Sequence, residues 1–80
     1  MSTAERVLSV LATVSEIDEV RKDEDLLLYD LQVLDSLKTV ELIAAFSQEF
    51  GVDISPAEFE RDQWATPRKI VAYMETKVGA

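Results

Sequence analysis

The chain has 80 residues, 48% of them apolar, and a formal net charge of −8. A chain this short buries only about 60–65% of its unfolded surface, so a single domain over residues 1–80 with one small core is expected. It contains no cysteine and no histidine, which excludes thiolate nucleophiles, Cys/His metal and haem sites, and a Ser-His-Asp triad.

Carboxylates and lysines could still do chemistry, but only with strong pKa tuning in a large pocket, and a domain of this size rarely builds one. A non-enzyme is expected, and any thiol it uses must come from a cofactor. The lack of disulfides fits a reducing compartment. No run approaches the roughly 18 apolar residues of a membrane span, and the segment from Met1 to Glu5 lacks the apolar stretch of a signal peptide. A cytoplasmic location is therefore expected. The acidic surface argues against nucleic acid, whose phosphates require Lys and Arg, and favours basic protein partners.

In chain order, Ala4, Val7, Leu8, Leu11 and Val14 recur at helical spacing. Ser2 and Glu5 fit a capping box at the start of this helix. Residues 16–34 have no clean period. Between Glu16 and Asp30 there are seven acids and two bases, with Leu26, Leu27, Leu28 and Tyr29 set among them. This reads as a long acidic loop pinned to the core by that apolar cluster. Such a loop in a small domain is often functional, although a solvated connector would account for the acids equally well. The aspartates at 23, 25 and 30 lack the glycine and the terminal glutamate of an EF-hand, so no metal site is read here.

A second helix is expected from Ser36 to Phe50, capped by Asp35 or Ser36 and ended by Gly51. Ser55-Pro56-Ala57-Glu58 predicts a short third helix. Thr66-Pro67 opens a fourth, with Ile70, Val71, Met74 and Val78 as its apolar stripe. The expected fold is all-α, a small bundle of three longer helices plus one short one.

The second helix carries an excess of apolar surface. With Ser36 at zero and about 100° per residue, Leu42, Ile43, Phe46 and Phe50 occupy roughly 240–340°. Leu37, Val40 and Ala44 continue the apolar surface over roughly 40–100°, so the arc is about 220° wide where a surface helix needs about 100°. Either the neighbouring helices cover all of it, or Leu37, Val40 and Ala44 stay partly exposed as a mild docking face beside Ser36.

A serine at a helix start is ordinarily a cap. Here Leu34-Asp35-Ser36-Leu37, preceded by the acidic loop and followed by Thr39-Val40-Glu41-Leu42, resembles the Asp-Ser-Leu signature of acyl and peptidyl carrier proteins, and the resemblance extends over the whole chain. It implies that a phosphopantetheinyl transferase joins 4′-phosphopantetheine to the Ser36 hydroxyl, with magnesium held in the transferase site. The arm then carries an acyl or aminoacyl group as a thioester. Asp35 is implied as a recognition residue for the transferase, and Leu37, Val40 and Ala44 as a partner face. The position suits a phosphodiester, because a helix N-terminus offers free N–H groups and the positive end of the dipole.

The segment from Ile54 to Ile70, with Glu58-Phe59, Arg61-Asp62, Trp64 and Thr66-Pro67, looks like the D-alanyl carrier proteins of teichoic acid D-alanylation. Val33-Leu34 before Asp35-Ser36 is similar to the same group. This likeness implies an adenylating D-alanine ligase that loads the chain, a membrane acyltransferase that unloads it, and a monomeric carrier. Trp64 itself reads as a core aromatic between the third and fourth helices. Two residues depart from the pattern. Gln32 stands where many carriers have glycine, which puts the local backbone in question. Lys38 stands where fatty-acid carriers place an acid, which disfavours partners that read a strongly acidic helix. The alternatives are an acyl carrier of fatty acid or polyketide synthesis and a helical interaction module with no prosthetic group.

Overall fold

The computed structural model describes residues 2–54 and 60–79. Their regular structure is helical, as expected: α1 (Thr3–Ser15), α2 (Ser36–Phe50) and α3 (Pro67–Val78), with single 3-10 turns at Asp18–Arg21 and Arg61–Trp64. The predicted short helix opening at Ser55-Pro56 lies outside the described residues.

Each helix begins where a short polar side chain can satisfy a free N–H. Ser2 caps α1 by accepting from the Glu5 N–H at 3.1 Å. The reciprocal half of the capping box is altered, because the Ser2 hydroxyl, not its N–H, lies 3.3 Å from the Glu5 carboxylate. Asp35 caps α2 and Thr66 caps α3, the latter followed by Pro67 in the first helical position. Gly51 and Gly79 end α2 and α3 at φ +66° and +75°, the left-handed conformation in which a residue without Cβ is least strained.

The core gathers one stripe from each helix: Val7 and Leu11 of α1, Leu42, Ile43 and Phe46 of α2, Ile70 and Met74 of α3. The long loop contributes Val20, Leu28, Val33 and Leu34, all buried. It is therefore pinned, as its apolar cluster predicted, although Leu27 faces solvent. Each buried Val, Leu or Ile is worth about 1.5–3 kcal/mol relative to exposure, so the loop is held by its own hydrophobic anchors.

Trp64 sits at the centre. Its ring meets Phe46 edge-on at 5.6 Å and Tyr73 edge-on at 5.7 Å, arrangements favoured by the ring quadrupoles. It is thus a core aromatic, as expected, but the rings it meets tie α2 to α3; the expected short third helix lies outside the described residues. Polar staples close the periphery. The Arg6 guanidinium pairs with the Glu49 carboxylate at 3.0 Å, donates to the Glu49 carbonyl at 2.8 Å, and lies 4.5 Å from the centre of the Phe50 ring. Arg68 pairs with Glu24 at 3.0 Å and with Asp25 at 3.1 Å, fastening the acidic loop to the start of α3. Among the described residues no helix is long and apolar enough to cross a membrane.

Candidate functional site

The candidate site is the first turn of α2. Of the two residues that could cap this helix, the structure uses Asp35. Its carboxylate accepts from the Lys38 N–H at 2.8 Å and its carbonyl accepts from the Thr39 N–H at 2.8 Å. Ser36 is released from capping. Its side chain is exposed and makes no hydrogen bond among the described residues. The amides of Ser36 and Leu37, at the open end of the helix, have no intrahelical partner. A free hydroxyl therefore stands beside free N–H groups and the positive end of a helix dipole.

Leu37, Val40 and Ala44 share one stripe, by their spacing of three and four residues. All three are exposed, Leu37 at 68% and Val40 at 56%. The apolar arc of α2 thus divides: the neighbouring helices cover Leu42, Ile43 and Phe46 and leave the stripe next to Ser36 in solvent. Leu31, in the loop before the site, is also exposed.

Three features of the site have a geometry that only the structure shows. The first is Lys38. Its ammonium donates to the carbonyl of Val14 at 3.4 Å and lies 3.7 Å from the Glu16 carboxylate. It supplies the cation that α1, with no basic residue in its own last turn, lacks at the negative end of its dipole. Lys38 is thus directed to α1, which its place in the sequence, four residues before Leu42, did not suggest. The second is Gln32, at φ +60°. The backbone keeps the left-handed conformation that glycine favours, although a glutamine occupies it. It is held there by the bonds from the Gln32 N–H to the Tyr29 carbonyl (3.1 Å) and from the Leu34 N–H to the Leu28 carbonyl (3.0 Å). The third is a hydrogen bond between Tyr29 and Thr39, 2.8 Å long.

Two carboxylates of the loop, Glu24 and Asp25, are engaged by Arg68. Asp25 accepts from Arg68, and this hydrogen bond and the guanidinium charge hold its carboxyl below the usual carboxylate range. Among the described residues no group of three or more potential ligands is placed to hold a metal ion.

Residues 5–74 match the family described as phosphopantetheine attachment site. The chain belongs to this phosphopantetheine carrier family. Among its relatives are the D-alanyl carrier protein of Lacticaseibacillus rhamnosus, 44% identical over 69 residues that cover 86% of this chain and 85% of the relative. The D-alanyl carrier protein of Listeria monocytogenes (serovar 1/2a) is 36% identical over 75 residues, 94% and 96% of the two chains. That of Lacticaseibacillus casei is 42% identical over 69 residues. Members of the family are carriers, not catalysts, and bear 4′-phosphopantetheine covalently. The first turn of α2 fits such a group: the Ser36 hydroxyl, unengaged among the described residues, can form the phosphoester, and adjacent N–H groups without intrahelical partners can face its phosphate.

Proposed function

We propose that Ser36 is the attachment residue and that the carrier holds D-alanine for transfer to teichoic-acid-type acceptors. The observation that carries the first part is the division of labour between neighbours: Asp35 caps α2, and the Ser36 hydroxyl stands exposed and bonds to none of the described residues. When bound, the prosthetic group supplies the thiol that holds the cargo as a thioester, which this cysteine-free chain cannot supply itself. The chain's own part is to present Ser36 to a phosphopantetheinyl transferase, with Asp35 in its recognition surface. It then offers Leu37, Val40 and Ala44 to an adenylating ligase and to a membrane acyltransferase. The carrier acts as a cytoplasmic monomer.

D-alanine as cargo rests on the relatives, which are named D-alanyl carrier proteins along most of the chain's length. The interior supports a small cargo as well. Sequestering a long acyl chain needs space between the helices, and Trp64 and Phe46 pack edge to face in the middle of the core. Lys38, directed towards α1, takes an anion's place on the helix that fatty-acid partners would read.

The test is intact-mass analysis after incubation with coenzyme A and a broad-specificity phosphopantetheinyl transferase. The wild type should gain one phosphopantetheine and Ser36→Ala none; an equal gain in both would refute the assignment. The loaded wild type is then offered a D-alanine ligase with ATP, or a malonyl transferase with malonyl coenzyme A. Charging only by the second would replace D-alanine with an acyl cargo.

A further inference from the structure

We infer that Tyr29 and Thr39 form a hydrogen-bond relay that positions Ser36 for modification, with Tyr29 as the positioning residue. The inference rests on Ser36 being the attachment site.

The direction of the relay follows from proton counting. The Thr39 hydroxyl lies 2.7 Å from the Asp35 carbonyl and 2.8 Å from the Tyr29 hydroxyl. A carbonyl only accepts, so the single Thr39 proton goes to Asp35. The Tyr29 hydroxyl must then donate to Thr39. The Asp35 carbonyl receives two bonds, from the Thr39 hydroxyl and the Thr39 N–H, which fill both of its lone pairs.

That carbonyl belongs to the same planar unit as the Ser36 N–H, and in a trans peptide the two point in opposite directions. Holding the carbonyl toward Thr39 therefore aims the Ser36 N–H out of the helix end, beside the Ser36 hydroxyl. An incoming phosphate would meet a donor already in place. First turns fray easily, and a relay anchored outside the helix opposes this. Thr39 is buried and Tyr29 half-buried, so water competes weakly for these bonds. Tyr29 is itself fixed. It follows the fully buried Leu28, whose N–H donates to the Ala65 carbonyl at 2.9 Å, and its carbonyl accepts from Gln32. The loop before the site thus sets the geometry of a residue seven positions later.

The test uses Tyr29→Phe, which keeps the ring and removes the hydroxyl, with Tyr73→Phe as a remote control. The readout is phosphopantetheine transfer from coenzyme A by a broad-specificity transferase. A turn that is correctly formed for only part of the time weakens apparent affinity by that fraction. Tyr29→Phe should therefore lower kcat/KM by about three- to tenfold, mostly through KM, at a temperature where the chain stays folded. Tyr73→Phe should not. Thr39→Val should reproduce the loss without adding to it in the double variant, and Thr39→Ser should restore it.

Amide exchange at Lys38 and Thr39 should quicken by a similar factor in Tyr29→Phe, whether or not a transferase is present. Unchanged exchange and unchanged kcat/KM would overturn the relay, as would a loss that Thr39→Ser fails to recover. A wild type that gains no mass would overturn the attachment site instead, and the exchange comparison would still decide the relay.

Discussion

The two apolar faces of α2 differ in environment far more than in composition. Leu42, Ile43 and Phe46 are buried, whereas Leu37 and Val40 on the same helix are more than half exposed. Hydrophobicity alone cannot tell them apart; what decides is which side α1, α3 and the loop cover. The covered face holds the fold together, and the bare face is the one proposed above to meet partners. Ser36, between them at the helix end, is presented by one and flanked by the other. The difference teaches that an oversized apolar arc on a small carrier can divide into two surfaces in different environments, and each should respond to truncation in its own way.

The largest expected effect lies on the covered side. Phe46→Ala removes a ring in contact with Trp64 and Phe50 and should cost about 3–5 kcal/mol. Single domains are stable by only about 5–15 kcal/mol, so thermal unfolding should fall steeply or vanish. A loss under about 1 kcal/mol would break the comparison. Next comes the cap. Asp35→Ala should cost about 1 kcal/mol, and Ser36→Ala should stay within about 0.5 kcal/mol, because its hydroxyl bonds nothing among the described residues. Equal losses in chemical denaturation would mean that the two residues share the cap.

On the bare side, Leu37→Ala and Val40→Ala should shift stability by no more than about 0.5 kcal/mol while slowing charging by the ligase severalfold. Stability losses above 2 kcal/mol would show that this stripe belongs to the core.

How far all this was legible depends on the range of the forces involved. The first, second and fourth expected helices, the caps at Ser2 and Thr66, the closing Gly51 and the anchoring of the loop by Leu28 are local patterns, and they stand in the structure as read. The phosphopantetheine family was also readable, from the Asp35-Ser36-Leu37 signature in its helical setting. Contacts between residues far apart were not. Lys38 reaches Val14 over 24 positions and Arg68 reaches Asp25 over 43, and no periodicity encodes either. The 3-10 turn at Asp18–Arg21 was hidden because its one buried residue, Val20, is too little to make a period. Gln32 is a different case: only the resemblance to carriers with glycine here draws attention to this backbone, the glutamine itself does not signal a left-handed residue, and the bonds around it impose one.

That imposed conformation gives a further prediction. A non-glycine residue in the left-handed region carries a cost of about 1–2 kcal/mol, part of which glycine returns to the more flexible unfolded chain. Gln32→Gly should therefore stabilise by up to about 1 kcal/mol. Ser36 modification should be unaffected, since the backbone already has the required shape.

The smallest effect concerns the loop that borders both faces, where Arg68 holds Glu24 and Asp25. The Asp25 carboxyl is depressed by its hydrogen bond with Arg68 and by the guanidinium charge. A group whose pKa is lower folded than unfolded adds stability above its ordinary pKa and loses it as pH falls through the lowered value. Arg68, pushed upward by the same pairing, stays charged throughout and adds no slope in this range. Stability of the wild type relative to Asp25→Asn should therefore be greatest near neutrality and disappear in acid below the carboxylate range. The pair is solvent-exposed, so the difference should be small and should shrink further in about 1 M salt, where charges are screened within about 3 Å. A difference that persisted in acid would place the loop's attachment in Leu28 and its neighbours alone. The ion pairs would then contribute nothing to the boundary between the covered and the bare face.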